Sequence, residues 1–197
     1  HNDDQFKTLI EKFNACDGIS ALELNLSCPN LGHKTLVAQD PEATFRLVSS
    51  LKKISKLPLI AKLSPNVTDI SVIAKAAEDA GADAVSLINT FTAMAINTKT
   101  RRSKLGNFTG GLSGPAIRPI AVHMVYQVAQ RVKVPIIAMG GIASADDALQ
   151  FMMAGASMVA VGTMNFVDPQ APVAVLDGIV KYMKEHKLDD VSQLIGS

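Results

Sequence analysis

Short apolar segments alternate with amphipathic ones along this 197-residue chain, which predicts an α/β protein with a buried parallel sheet. Two further observations narrow this to a (β/α)8 TIM barrel, represented by its C-terminal five or so βα units. Polar and glycine residues gather just after the ends of the predicted strands, where such a barrel builds its active site. The junctions also repeat one grammar, Ala80-Gly81-Ala82-Asp83 and Ala154-Gly155-Ala156-Ser157, as like units do and a sheet with one special switch point does not.

The elements follow in order. Residues 4–15 read as a helix with Phe6, Leu9, Ile10 and Phe13 on one face, and 21–26 as a strand. Asp40-Pro41-Glu42 opens a helix over 41–55, with proline in its first turn. A strand at 58–63, a helix near 69–80 and a strand at 84–88 come next. A long connection over 89–115 leads to a helix near 116–131 and a strand at 134–139. The last units are a helix at 145–153, a strand at 157–162 and a helix at about 171–186.

Five strands do not close an eight-stranded barrel. The alternatives are an open α/β sheet or about three βα units missing on the N-terminal side. The abrupt start, His1-Asn2-Asp3-Asp4 with no initiator methionine, favours the second. Residues 1–197 are therefore expected to be the C-terminal portion of one barrel domain, with the N-terminal half of the same protein as its first partner.

Composition excludes several classes. With 19 basic and 18 acidic residues the net charge is +1, which leaves no footprint for nucleic acid. No window is an uninterrupted apolar membrane span. Cys16 and Cys28 are the two cysteines; reduced thiols and a cytoplasmic location are the expectation, with no role for Cys16. His1, His33, His123 and His186 have no compact ligand spacing, so no metal site is expected.

The residues that carry chemistry stand at strand ends. Asn25-Leu26-Ser27-Cys28-Pro29-Asn30 sets one cysteine among amides and a hydroxyl. A packed, inert thiol is the plain reading; the polar company, costly to leave unpaired indoors, favours a nucleophile or a proton-transfer base. His33 stands close in sequence as a candidate activator, in a hydrophilic loop where a surface histidine is the simpler expectation. Lys62, inside Leu59-Ile60-Ala61-Lys62-Leu63, has little escape to solvent from a covered sheet and at a barrel top can neutralise charge building on a ligand. Asn66 is explained by a turn or helix cap. Asn89-Thr90 offers an amide and a hydroxyl at a strand end, and Thr109-Gly110-Gly111-Leu112-Ser113-Gly114-Pro115 allows close backbone approach. Gly140-Gly141 and Gly162-Thr163 end the last two strands and suit an anionic phosphate, either of flavin mononucleotide or of a sugar phosphate.

Taken together, Glu23 to Asn30, Lys62-Leu63-Ser64-Pro65-Asn66, Ile88-Asn89-Thr90, the Gly110–Gly114 run and both glycine-bearing strand ends resemble the dihydroorotate dehydrogenases, through nearly the whole chain. Cysteine in the active-site loop resembles the soluble class 1 enzymes. The resemblance implies FMN as cofactor and oxidation of (S)-dihydroorotate to orotate in pyrimidine synthesis. Cys28 would then be the base at C5, with hydride transfer from C6 to flavin N5. Asn25, Asn30, Asn89 and Thr90 would hold the substrate. Lys62 would lie at the flavin's pyrimidine edge, Gly111, Ser113 and Gly114 would support its ring system, and Gly140, Gly141, Gly162 and Thr163 would cradle its phosphate.

Ser64 to Ile70 and Gly111 to Ile117 resemble the NAD-linked class 1B catalytic subunit, whose electrons pass to a separate FAD and [2Fe–2S] subunit. The loop Leu31 to Asp40 lacks that subclass's glycine-rich pattern and is partly closer to the fumarate-using class 1A form. The class 1 resemblance also implies a homodimeric core. The competing readings are another FMN-dependent pyrimidine oxidoreductase, a sugar-phosphate aldolase or isomerase using Lys62, and a noncatalytic assembly subunit.

Overall fold

The computed structural model describes residues 3–27 and 37–197. Its main sheet begins with β1 (Leu22–Asn25), β2 (Leu59–Lys62) and β3 (Ala84–Leu87). Four short strands follow in the long connection: β4 (Phe91–Ala93), β5 (Ile96–Asn97), β6 (Arg102–Ser103) and β7 (Gly110–Leu112). β8 (Ile136–Met139) and β9 (Met158–Ala160) complete the main sheet. The helices are α1 (Asp3–Phe13), α2 (Pro41–Lys52), α3 (Ile70–Asp79), α4 (Arg118–Ala129), α5 (Ala145–Met153) and α6 (Ala171–Glu185).

The main sheet runs β1-β2-β3-β8-β9 and every pairing in it is parallel. Each strand therefore lies beside the one from the preceding βα unit, with no reversal of order. That is the topology of a (β/α) barrel rather than of a doubly wound sheet. The five expected strands and six expected helices are all present, each shorter than or equal to its sequence-based range. The connection over 89–115 holds more than a loop. β4 pairs antiparallel with β7, and β5 with β6, as two small ribbons that strands of two or three residues cannot announce by periodicity.

The two faces of the sheet differ. One row of neighbours, Leu24, Ala61, Val85 and Ile136, is buried beneath the helices. Complete burial of a Leu, Ile or Val of this kind contributes about 1.5–3 kcal/mol. The adjacent row, Asn25, Lys62, Ser86, Ile137 and Met158, lies on the opposite face, and Met158 is 59% exposed. Alternation along each strand puts this second row where a barrel keeps its interior.

Helix starts are built as their residues predict. Asp40 accepts hydrogen bonds from the Glu42 and Ala43 N–H groups at the start of α2, and Asp69 accepts one from Ser71 N–H at α3. Ser144 and Asp147 form a reciprocal capping box on α5.

Two carboxylates clamp the end of the sheet where the strands begin. Asp83 Oδ2 lies 2.6 Å from Lys52 Nζ and accepts the Leu59 N–H at 2.7 Å, joining α2, β2 and the entry to β3. Glu78, at the end of α3, accepts the N–H groups of Lys133 at 2.5 Å and Val134 at 3.1 Å just before β8, and pairs with Lys75. The opposite end, where strands finish, is left to loops.

Candidate active site

A cleft of about 160 Å³ opens among those loops. Its wall brings together Lys62 from the end of β2, Asn89 and Thr90 after β3, Ser113 and Gly114 after β7, Gly140 and Gly141 after β8, and Gly162 and Thr163 after β9. Ile88, Ile117, Met139, Ile142 and Met164 supply apolar wall between them. Nine residues singled out in the sequence thus converge from five separate chain segments. Lys62, Asn89, Thr90 and the glycine pairs meet because they stand at the C-terminal ends of strands in one parallel sheet, and Ser113 and Gly114 join them from the end of the β4–β7 ribbon.

Asn25 and Gly111 stand next to this wall rather than in it. Asn25 Oδ1 accepts from Asn89 Nδ2 at 3.3 Å, and Asn89 Oδ1 accepts the Thr90 N–H at 2.8 Å, so the Asn89 amide has a defined orientation. Gly111 faces Thr90 across the β4–β7 ribbon. A Cβ there would collide with Thr90 Oγ1 and lie 2.8 Å from its Cβ, so only glycine permits this approach. Cys28, Asn30 and His33 lie outside the described residues.

The phosphate-like corner has its own geometry. Gly141 adopts φ +82°, and a Cβ there would come within 2.6 Å of the Gly114 carbonyl oxygen. Thr163 Oγ1 donates to Ser113 Oγ at 2.8 Å, tying the two loops on either side. Gly162 has open space where a side chain would be. Among the described residues, no acceptor pairs with the backbone N–H groups of Gly141, Gly162 and Thr163. Unpaired N–H groups of this kind at a cleft are a ready anion site.

Charge around the cleft favours the same ligand class. Lys62 is the one ionisable side chain in the described wall, and it has no ion-pair partner among the described residues. Nearby acids are engaged elsewhere. Glu23 accepts from Ser86 Oγ at 2.5 Å, and Asp147, almost fully buried, is ion-paired with Arg118, whose Cβ lies behind Gly141. Among the described residues no three of His, Cys, Asp and Glu gather closely enough to hold a metal ion. None of the described helices is long and apolar enough to cross a membrane.

A family profile for dihydroorotate dehydrogenase matches residues 1–183, nearly the whole chain. The chain belongs to the dihydroorotate dehydrogenase family. The NAD(+)-linked dihydroorotate dehydrogenase B catalytic subunit of Lachnoclostridium phytofermentans is 50% identical over 193 residues, covering 98% of this chain and 64% of its own length. The corresponding subunit of Thermodesulfovibrio yellowstonii is 46% identical over 197 residues, 100% of this chain and 65% of its length. The chain thus spans a little under two thirds of those dihydroorotate dehydrogenases. A crystal structure of the Eimeria tenella dihydroorotate dehydrogenase in complex with ferulenol superposes with a TM-score of 0.79 at 23% identity, covering 98% of this chain and 57% of that one, which shows a shared fold.

Sequence reasoning assigned one residue beside the cleft too small a part. Asn66, read as a turn or cap residue, makes five hydrogen bonds, to Ser64 in its own turn and to two other segments, at Gln39 and at Thr90 and Thr92. The helix cap in that stretch is Asp69.

Proposed function

We propose that this chain forms the flavin- and substrate-binding part of an FMN-dependent dihydroorotate dehydrogenase that oxidises (S)-dihydroorotate to orotate in pyrimidine synthesis. The observation that carries this reading is the set of unpaired N–H groups at Gly141, Gly162 and Thr163, in a cleft whose one described charge is Lys62. A backbone cradle suits a phosphate monoester without needing a cluster of arginines. At about 160 Å³ the cleft is smaller than a typical ligand pocket of roughly 300–1,000 Å³. The residues present fit the phosphate end and the polar edge of FMN, and other parts of the protein would close over the rest.

Bound FMN would supply the acceptor for the hydride that leaves C6 of the substrate. The Cys28 thiolate takes the C5 proton, and the C5–C6 double bond of orotate forms as both leave. Asn25, Asn30, Asn89 and Thr90 hold the flat substrate so that C5 faces the sulfur. Lys62 would hold the pyrimidine edge of FMN and supply positive charge to stabilise its reduced form. Gly111, Ser113 and Gly114 would hold the ring system, and Gly140, Gly141, Gly162 and Thr163 would hold the phosphate.

The relatives' designation as NAD(+)-linked catalytic subunits supports a wider element of the proposal, a second subunit through which electrons leave toward NAD. The resemblance to class 1 enzymes adds FAD and a [2Fe–2S] cluster on that subunit and a homodimeric catalytic core. The half-open inner face of the sheet supports a further element: additional βα units of the same protein complete the barrel and cover Met158.

Cys28→Ala tests the chemistry. In the flavin-loaded native assembly it is expected to retain FMN while dihydroorotate reduces the flavin about 10²–10⁴-fold more slowly. Unchanged reduction kinetics would reject Cys28 as the base.

A further inference from the structure

We infer that Asn66 is a positioning residue for this reaction, holding the substrate-binding strand end Asn89-Thr90 in place at the cleft. The inference rests on the dihydroorotate dehydrogenase reading above.

Asn66 is half-buried in the turn after β2 and uses its whole polar inventory. Its Nδ2 donates to the Thr90 carbonyl at 3.1 Å and to Ser64 Oγ at 3.2 Å, and its own N–H also donates to Ser64 Oγ. Its Oδ1 accepts the Thr92 N–H at 2.9 Å, and its carbonyl accepts from Gln39 Nε2 at 2.8 Å. Ser64, the shared acceptor, is 1% exposed, so the side of the turn it anchors is fixed in the core.

These bonds form a circuit. Thr90 and Thr92 flank the first residue of β4, and Thr90 packs on Gly111 of β7, so Asn66 sets the height of that ribbon at the cleft. Through Asn89 the same strand end reaches Asn25, whose Oδ1 lies 3.4 Å from the Ser27 N–H immediately before Cys28. Asn66 is thus tied directly to Gln39 and, through Thr90 and Asn89, to Asn25. The reaction needs the substrate held in fixed relation to the groups that receive its proton and hydride, and a misplacement of about 1 Å can cost about a hundredfold in rate.

The test uses Asn66→Leu, which keeps the volume and removes every side-chain hydrogen bond, and Asn66→Asp, which keeps the acceptor for Thr92 and loses the donor to Thr90. Both are prepared as the flavin-loaded native assembly beside the wild type. Asn66→Leu is expected to lower the flavin reduction rate at saturating dihydroorotate about tenfold to a hundredfold, and to raise the orotate dissociation constant, read from the flavin spectrum, severalfold. Asn66→Asp should recover part of both. A merely structural role would lower the melting temperature and leave rate and orotate affinity within about twofold of wild type, and that result overturns the inference. If Asn66→Leu fails to hold flavin, Asn66→Asp decides by the same two readouts. A wild type that dihydroorotate does not reduce overturns the functional reading itself. A reduced wild type beside unaffected variants overturns this inference alone.

Discussion

Gly141 and Gly162 occupy equivalent places at neighbouring strand ends, yet a methyl group would meet different surroundings at each. At Gly141 it would have to accept φ +82° and press against the Gly114 carbonyl and Arg118. Gly141→Ala is therefore expected to destabilise the protein by at least about 1–2 kcal/mol, the cost of a left-handed backbone for an L residue, read as a fall in melting temperature. At Gly162 nothing lies within 4 Å, so Gly162→Ala should leave the melting temperature near that of the wild type and instead weaken retention of FMN by crowding the cradle. Full FMN affinity in Gly162→Ala would remove the cradle from the account. At this scale the sequence was informative where chemistry depends on position at a strand end: Lys62, Asn89, Thr90, Ser113, Gly114 and the four terminal glycine and threonine positions meet in one cleft. Asn66 was not legible, because its significance lies in bonds to residues 39, 90 and 92, and a Ser-Pro-Asn turn looks the same without them.

The elements divide between those that hold the sheet and those that shape the site. Asp83 and Glu78 work at the end where strands begin. Burial pushes the Asp83 carboxyl up, but the Lys52 ammonium and the Leu59 N–H outweigh it and hold the group below the ordinary aspartate range. Lys75, chiefly, and the N–H groups of Lys133 and Val134 hold Glu78 down, against the opposing effect of burial. Both carboxyls are thus more acidic in the folded protein, so their contribution is fully present above the ordinary values of 3.8 and 4.5. It is lost as pH falls through the lower folded values. Melting temperature measured from pH 7 down to pH 3 should decline below about pH 4.5, and Glu78→Ala should lower it already at neutral pH by about 1–3 kcal/mol in stability, since two N–H groups lose their acceptor. A Glu78→Ala protein as stable as the wild type at neutral pH would contradict this clamp. The strands and helices themselves were readable from periodicity and caps, such as Asp40-Pro41 and the Ser144–Asp147 box. The ribbons inside 89–115 were not, since segments of two or three residues carry no period and owe their pairing to contacts across the connection.

At the scale of the whole molecule, five parallel strands in chain order form a sheet with one face packed and the other half-open. Met158 projects from that open side at 59% exposure, beside Ile137 in the same row. If further βα units complete the barrel, Met158→Asp in the native assembly places an unpaired charge in a closed interior beside Ile137, and a loss of several kcal/mol, seen as a large fall in melting temperature, is expected. An unchanged melting temperature would mean that this face meets water in the working protein. On the proposed reading barrel closure and flavin binding go together, because Lys62, Asn89 and the glycine pairs stand at the ends of strands in the one parallel sheet. The most direct test is therefore anaerobic absorbance of the purified native assembly in the visible flavin band as dihydroorotate is added. Rapid bleaching of an oxidised flavin is the predicted result; a flavin spectrum that persists in excess dihydroorotate, or no flavin spectrum at all, would contradict the account.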